Sequence, residues 1–228
     1  MEILKVTREE VPGKVGIIPI GSVEQHGPHL PMGTDSLIAE WVARQVERRN
    51  EKEVLLFPTI YYGCSLEHNG FPYVGISYVT MINYLVDLLN ATKDSGIKSI
   101  IIINGHGGNR SVLDIVARQI NFTSSSFKVY VFNINSDEEL GLPGPDLHAG
   151  SVETSRIKAI DKDLVKDEKI DEIKDFSYKE GVFSTLTVKE ANQYGVIGNG
   201  IVVDAEKGIM SLIEVVNKVE ELLKKIIS

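Results

Sequence analysis

The chain has 228 residues, of which 43% are hydrophobic, and a formal net charge of -8 at pH 7. This length and composition predict one large domain with a substantial core. The acidic balance argues against nucleic acid or an anionic membrane as the main partner. A single cysteine excludes an internal disulfide framework, and no apolar run resembles a signal peptide or approaches the ~20 residues of a membrane span. We therefore expect a soluble cytoplasmic protein.

Short β-branched segments alternate with helical patterns along the chain, which predicts an α/β fold. Strands are expected at residues 15–20, 54–57, 99–103 and 128–132. Helices are expected after a cap at Thr34 or Asp35, across residues 81–89, and from about residues 110, 150 and 206. Residues 59–75 are interpreted as a loop over the sheet, and residues 161–179 as an exposed charged segment. No domain boundary is evident, so one domain is expected to span residues 1–228.

The first polar motif follows the strand at residues 15–20 and contains Glu24, His26 and Asp35. Side chains alternate along an extended chain, so Glu24 and His26 are expected on one face, and Asp35 returns after a loop rich in glycine and proline. Oxygen donors combined with imidazole suit zinc, manganese or ferrous iron. Asp35 could instead serve only the start of the helix that follows. We expect His29 in the same loop to hold the loop by hydrogen bonds.

The second motif places His106 directly after the strand at residues 99–103, among Gly105, Gly107 and Gly108. The glycines permit a sharp turn, which would present His106 at the carboxyl end of the strand, where open α/β sheets bind ligands. The turn also leads into a helix start, whose free N–H groups can receive an anion. A turn in which the histidine only packs locally is the alternative, but His106 complements the upstream ligands.

The third motif contains His148 and Glu153 around a helix start near Gly150. Glu153 would fall in the first helical turn, where a carboxylate can complement the helix dipole as readily as it can bind a ligand. His148 follows a glycine- and proline-rich approach at residues 141–145, and such loops often carry function. With an ordinary pKa near ~6.5, His148 is the expected proton donor to a leaving group.

The loop at residues 59–75 carries the neighbouring residues Glu67 and His68. Both could contact a substrate, and bracing of the loop is an equally good explanation. Cys64 in the same loop has no activating partner in the sequence, which disfavours a cysteine nucleophile.

Taken together, the three motifs resemble the creatininase superfamily of metal-dependent amidohydrolases. The matching segments are Glu24-Gln25-His26-Gly27-Pro28-His29-Leu30-Pro31, Thr34-Asp35, Asn104-Gly105-His106-Gly107-Gly108-Asn109, and His148-Ala149-Gly150 with Glu153. The resemblance implies a three-layer α/β/α domain with a mainly parallel central sheet. It also implies a homo-oligomer with two divalent ions per subunit, Fe²⁺, Zn²⁺ or Mn²⁺, at the carboxyl ends of the strands.

The resemblance also assigns the ligands. It implies that Glu24, Asp35 and His106 hold one ion, and that His26 and Asp35 hold the other, with Asp35 bridging. In creatininase a glutamate two positions after the strand-end histidine completes the second site, but here that position is Gly108. Glu153 is therefore the expected replacement, both as a metal ligand and, with His148, as a catalytic residue.

Within the superfamily, the compact length and the loop around Glu67 and His68 resemble archaeal members that deformylate a formylamino-pyrimidine ribonucleotide. The expected reaction is formate release from 2-amino-5-formylamino-6-ribosylaminopyrimidin-4(3H)-one 5'-monophosphate, in riboflavin and deazaflavin synthesis. Glu67 and His68 would contact this small-molecule substrate, and Gly107 and Gly108 would leave room for its heterocycle. A creatinine-type cyclic amidohydrolase, a short-peptide hydrolase and a non-catalytic metal-binding assembly protein are the alternatives. A phosphate-binding turn in a nucleotide-binding module is a further one, but it leaves the upstream ligands unexplained.

Overall fold

The computed structural model describes residues 1–135, 141–142 and 146–228. Residues 143–145 of the approach to His148 therefore lie outside the described residues. The strands are β1 (Val15–Ile20), β2 (Val23–Glu24), β3 (Val54–Leu56), β4 (Tyr73–Val74), β5 (Ser99–Asn104) and β6 (Lys128–Asn133). The helices are α1 (Thr34–Arg49), α2 (Tyr78–Asp94), α3 (Arg110–Thr123), α4 (Ser151–Ile160), α5 (Asp167–Ile170), α6 (Val188–Ala191) and α7 (Ala205–Ile227). In the described part of the chain, the helices are too short or too polar to cross a membrane.

Four of these strands form one parallel sheet in the order β3-β1-β5-β6. They are the four strands expected from the sequence, each within one residue of the predicted ends. The two central strands, β1 and β5, are buried along their whole length, as expected for strands covered on both faces. Ile20 pairs with Asn104 at their carboxyl ends, so the segments that follow the two strands leave the sheet side by side.

Helices cover both faces of the sheet, which confirms the predicted α/β/α layers. Alternate residues of β5 face opposite sides, with Ile101 and Ile103 packing in the apolar cluster that includes α1, α4 and α7. Ile100 and Ile102 pack in a second cluster, against α2 and α3. The run of four isoleucines thus fills two cores at once, because successive side chains of a strand point in opposite directions.

Two local expectations were wrong. Neither Thr34 nor Asp35 caps α1, since Gly33 holds the cap position and the Thr34 hydroxyl donates back to the Pro31 carbonyl at 2.8 Å. The segment 59–75 is not entirely loop, because it contains a helical turn at Leu66–His68 and strand β4, which pairs antiparallel with β2. Two-residue strands are too short to produce a detectable alternation in the sequence.

Candidate metal centre

The carboxyl ends of β1 and β5 bring three of the predicted motif residues to one point. Glu24 lies in β2, just after β1, Asp35 lies in the first turn of α1, and His106 follows β5. Gly105 allows the close approach, because a Cβ atom there would clash with the backbone oxygen of Asp35. The ligand atoms of Glu24, Asp35 and His106 all lie within 4.8 Å of one another, and all three residues are buried.

Asp35 lies between two histidines. Its Oδ2 is 3.0 Å from His106 Nδ1, and its Oδ1 is 3.1 Å from His26 Nε2. Nδ1 of His106 is also 3.3 Å from Oε1 of Glu24. Asp35 is therefore placed where one carboxylate can face two neighbouring cation positions.

Backbone carbonyls fix the outer nitrogens of both histidines. His26 Nδ1 donates to the Glu24 carbonyl at 3.0 Å, and His106 Nε2 donates to the Cys64 carbonyl at 2.9 Å. Because a carbonyl oxygen only accepts, each ring carries a proton on its outer nitrogen and turns the other nitrogen towards the carboxylates. This is the orientation that metal-binding histidines usually have.

The carboxylate oxygens at this point lack hydrogen bonds. In the described part of the chain, both oxygens of Glu24 and Oδ2 of Asp35 are buried without a hydrogen-bond partner. Two of these oxygens face histidine nitrogens at 3.0 to 3.3 Å but accept no hydrogen bond from them. Buried anionic oxygens without hydrogen bonds are costly, whereas converging oxygen and imidazole lone pairs are what a divalent cation requires. The side chains present therefore fit a divalent metal ion.

The charge balance agrees with this fit. Burial opposes a charge on His26, but the carboxylates of Asp35, Glu153 and Glu24 together outweigh burial and raise the pKa of His26 to about 10. Likewise, burial opposes ionisation of Glu24, but His106 and His68 hold the pKa of Glu24 well below its usual range. Protons on the histidines thus balance the carboxylates, and a divalent cation would replace those protons on binding.

A second set of ligand atoms comes from His26, His148 and Glu153, again within 4.8 Å of one another. Oε2 of Glu153 is 3.9 Å from His26 Nε2 and also accepts the backbone N–H of Ala149 at 2.7 Å. Burial raises the pKa of Glu153 to about 7. Glu153 therefore serves the start of α4, as one interpretation of the sequence held, and also faces the centre.

His148 is held by Gln25, a residue of the first motif to which the sequence assigned no role. His148 Nε2 donates to the Gln25 backbone oxygen at 2.9 Å. The side-chain nitrogen of Gln25 lies 3.0 Å from the same ring nitrogen. Burial lowers the pKa of His148 well below its usual value, and the nearby His26 and His68 lower it further. His148 is surrounded by protein and by other imidazoles, which disfavour a positive charge on its ring.

The Gln25 side chain also orients His68. Its Oε1 accepts the N–H of Gly27 at 2.9 Å, and its Nε2 donates to the Gly195 carbonyl at 3.0 Å and faces His68 Nδ1 at 3.2 Å. The other ring nitrogen of His68, Nε2, lies 3.1 Å from Oε1 of Glu24. His68 is buried and also lines the cavity into which the centre opens. With Glu24 and His148 it forms a further group of ligand atoms within 4.8 Å of one another.

His29 has the bracing role expected for it. Its Nε2 donates to the Thr154 hydroxyl at 2.9 Å, which ties the first motif to α4. Cys64 is buried, and burial raises the pKa of its thiol to about 11, which argues further against a cysteine nucleophile.

The candidate centre opens into a cavity of 740 Å³. Glu24, Asp35, His106, His148 and Glu153 lie along it, together with Glu67, Tyr78, Arg110, Arg156 and Phe183. A cavity of this size accommodates a ligand of several hundred daltons.

Comparison with known proteins identifies the family. The model for Creatininase, described as creatinine amidohydrolase, matches residues 4–223. The chain belongs to the creatininase family. This result confirms the superfamily predicted from the motifs.

Relatives within the family have different activities. The mycofactocin precursor peptide peptidase of Mycolicibacterium smegmatis is 31% identical over 153 residues, which are 65% of this chain and 59% of the peptidase. The chain thus spans about three fifths of the length of that curated relative. The 2-amino-5-formylamino-6-ribosylaminopyrimidin-4(3H)-one 5'-monophosphate deformylase of Methanococcus maripaludis is 27% identical over 234 residues, which are 97% of this chain and 96% of the deformylase. The solved structure of a manganese creatininase aligns with a TM-score of 0.82 at 23% identity, over 98% of this chain and 97% of that chain.

The two glycines beside His106, Gly107 and Gly108, are expected from the sequence to leave room for a substrate, and their surroundings differ. A Cβ atom at Gly107 would meet nothing within 4 Å, so this glycine does border open space. At Gly108 it would clash with the Cys64 carbonyl and with Oε1 of Glu67. Gly108 lines the cavity as well, and its missing side chain makes way for Glu67.

Proposed function

We propose that this creatininase-family chain is a metal-dependent amidohydrolase that deformylates a formylamino-pyrimidine ribonucleotide 5'-monophosphate. The observation that carries the chemistry is the set of buried carboxylate oxygens without hydrogen bonds beside a 740 Å³ cavity. The deformylase relative, which matches along almost the whole chain, supports the choice of substrate. We assign the protein to the cytoplasm, where such a nucleotide would be made.

Two ions per subunit fit the ligand geometry. Glu24, Asp35 and His106 would hold one, and His26, Asp35 and Glu153 would hold the other, with Asp35 shared. The mixed carboxylate and imidazole donors suit Fe²⁺, Zn²⁺ or Mn²⁺. When bound, such ions acidify water, polarise the substrate carbonyl and stabilise negative charge in the transition state.

His148 is placed to move the proton. Its Nε2 proton is committed to the Gln25 carbonyl, and the low pKa leaves Nδ1 unprotonated. Nδ1 can accept a proton from the attacking water and then donate it to the departing amine nitrogen. The water oxygen adds to the formyl carbon, and the C–N bond then breaks as the nitrogen takes the proton from His148, which yields formate and the free amine.

The cavity also contains groups suited to a nucleotide. Arg110 and Arg156 line it, and their guanidinium groups both approach Asn135. Arginine binds phosphate by paired charge-assisted hydrogen bonds. These side chains are candidates for the phosphate contact that the sequence alone did not locate.

The test is a direct assay of metal-loaded protein under anaerobic conditions, with ferrous or manganous ion. We expect formate from the formylamino-pyrimidine nucleotide and no creatine from creatinine. Removal of the 5'-phosphate should raise KM, because remote binding energy is lost. Creatine without formate would reject the deformylase assignment and leave an amidohydrolase of the creatinine type.

Short-peptide hydrolysis is the second candidate. It is favoured by the peptidase relative, which is 31% identical over the matched region. The same protein preparation should therefore be incubated with short peptides, and peptide cleavage without formate release would select this alternative.

We also propose a homo-oligomer, as the family resemblance implies. Several large apolar side chains of α2 are exposed, including Tyr78, Val79 and Tyr84. Such side chains are typical of subunit contacts. Light scattering of the purified protein tests this, and a monomer at micromolar concentration would contradict it.

A further inference from the structure

One carboxylate of the cavity belongs to neither set of proposed metal ligands. Glu67 lies in the helical turn Leu66–His68, and its side chain is 9% exposed. Among the described residues, Oε2 of Glu67 has no hydrogen-bond partner, and Oε1 has only a 3.4 Å contact with His106 Nε2. Because a buried carboxylate without donors is costly, these oxygens mark a position where a ligand can supply the donors.

Glu67 is separated from the metal centre by the His106 ring. Nδ1 of His106 faces Glu24 and Asp35, whereas Nε2 faces Glu67 and the Cys64 carbonyl. The Nε2 proton goes to the Cys64 oxygen, which is closer at 2.9 Å. None of the potential metal-binding groups found among the described residues includes Glu67. Glu67 is therefore available to the substrate.

The surroundings of Glu67 suit a flat ring. Tyr78 and Ile82 of α2 line the same cavity, and Gly107 borders open space in it. Burial raises the pKa of Tyr78, and the charge of Glu67 raises it further, which agrees with the phenol and the carboxylate being neighbours. An aromatic face beside a carboxylate provides stacking for a heterocycle and acceptors for its edge.

We propose that Glu67 binds the substrate through two adjacent N–H donors, as found on a 2-aminopyrimidin-4(3H)-one or another cyclic amidine or guanidine. This inference rests on the proposed function and deepens it, since the 2-amino group and N3–H of the formylamino-pyrimidine form such an edge. The two oxygens of a carboxylate can accept a parallel pair of N–H groups, as they do in bidentate pairs. Glu67 would thus select the heterocycle, while the metal centre acts on the formamide.

The test measures binding of two fragments to metal-loaded protein by NMR or calorimetry. The fragments are 2-aminopyrimidin-4(3H)-one and pyrimidin-4(3H)-one, which lacks the amino group. Wild-type protein should prefer the aminated fragment by about 10- to 100-fold, the usual effect of a hydrogen bond to a charged group. Glu67→Gln should lose this preference and keep its metal content, because the amide replaces one acceptor by a donor. Glu206→Gln, at an exposed position of α7, is the matched control and should behave as wild type.

Three results would overturn the inference: an equal preference in wild type and Glu67→Gln, no binding of either fragment to wild type, or loss of metal from Glu67→Gln. Should that variant not fold, Glu67→Asp withdraws the carboxylate by one methylene and should lose the preference too. Fragment binding needs no turnover. Preserved Glu67-dependent selectivity without formate release would therefore contradict the proposed reaction and leave the recognition of the N–H pair intact.

Discussion

Two kinds of buried carboxylate line the same cavity, and their oxygens have different partners. Asp146 is 9% exposed, and both of its oxygens accept backbone N–H groups at the start of α4, Oδ1 from Gly150 at 3.0 Å and Oδ2 from Val152. Glu24 and Asp35 are 1% and 3% exposed, and three of their four oxygens accept no hydrogen bond in the described part of the chain. Folding alone satisfies Asp146, but it leaves Glu24 and Asp35 in need of a cation.

This difference shows that burial by itself does not identify a functional carboxylate. A carboxylate that caps a helix stabilises the fold, and its loss should change stability. Substitution of a carboxylate that lies beside a cavity and has no hydrogen-bond donors should instead change ligand binding. The two kinds can be separated by measuring metal content and the free energy of unfolding on the same variants.

The largest effect is expected for Asp35→Asn. Asp35 is proposed to touch both ions, so we expect loss of bound metal and a fall in kcat/KM of at least ~10⁴-fold, since several kcal/mol of transition-state stabilisation would disappear. Elemental analysis and the formate assay measure the two quantities. Full metal content in this variant would contradict the proposed centre.

His148→Ala should separate proton transfer from metal binding. We expect kcat to fall by about 10²- to 10⁴-fold, the contribution of one acid–base group, while both ions remain bound. The measurement is kcat alongside metal stoichiometry. Activity close to wild type would show that another group moves the proton.

His29 belongs to neither set of proposed metal ligands, and its buried ring should make the stability of the protein depend on pH. Its Nε2 donates to Thr154, whereas its buried Nδ1 has no partner, and burial lowers the pKa of His29 to about 4. In the unfolded chain, His29 has a pKa near ~6.5. Between pH ~4 and ~6.5 the unfolded chain therefore binds more protons than the folded protein. The contribution of His29 to stability should be complete above pH ~6.5 and should fall by about 3 kcal/mol as the pH drops towards 4.

Denaturant unfolding of metal-loaded wild type and His29→Gln at pH 7 and pH 5 checks this expectation. The glutamine amide can still donate to Thr154 but does not titrate. The variant should lose less stability than wild type on acidification, and equal losses would show that His29 does not contribute.

Glu153→Gln should weaken one ion selectively. A neutral amide is a poorer ligand than a carboxylate, so we expect the affinity for one of two ions to fall by about 10- to 100-fold. Metal titration followed by calorimetry distinguishes one weakened site from two. Unchanged affinity at both sites would leave Glu153 with only its role at the start of α4.

The smallest effect is expected for Asp146→Asn, the matched control for Asp35→Asn. The free energy of unfolding should fall by about 1 kcal/mol, because one helix-capping acceptor is lost, and metal content should not change. Thermal unfolding and elemental analysis give both values. Loss of metal here would mean that satisfied and unsatisfied carboxylates cannot be told apart by their hydrogen bonds.

The sequence by itself determined the sheet, its layers and the principal set of candidate ligands. β-branched runs such as Ile100 to Ile103 predict buried strands, and parallel neighbouring strands must end at one edge. The strands depend on local pattern, which can be read along the chain. The order β3-β1-β5-β6, which makes β1 and β5 neighbours and brings His106 next to the loop that carries Glu24 and Asp35, follows only from the folded structure.

Only the tertiary structure decided how the surrounding groups act. Gln25 and His148 are 123 residues apart, and their contact orients the His148 ring. Burial and the neighbouring His26 and His68 lower the pKa of His148. Similarly, Gly108 makes way for Glu67, which arrives from a distant loop. A pKa and a free acceptor depend on burial and on neighbours from other segments, and these exist only once the chain has folded.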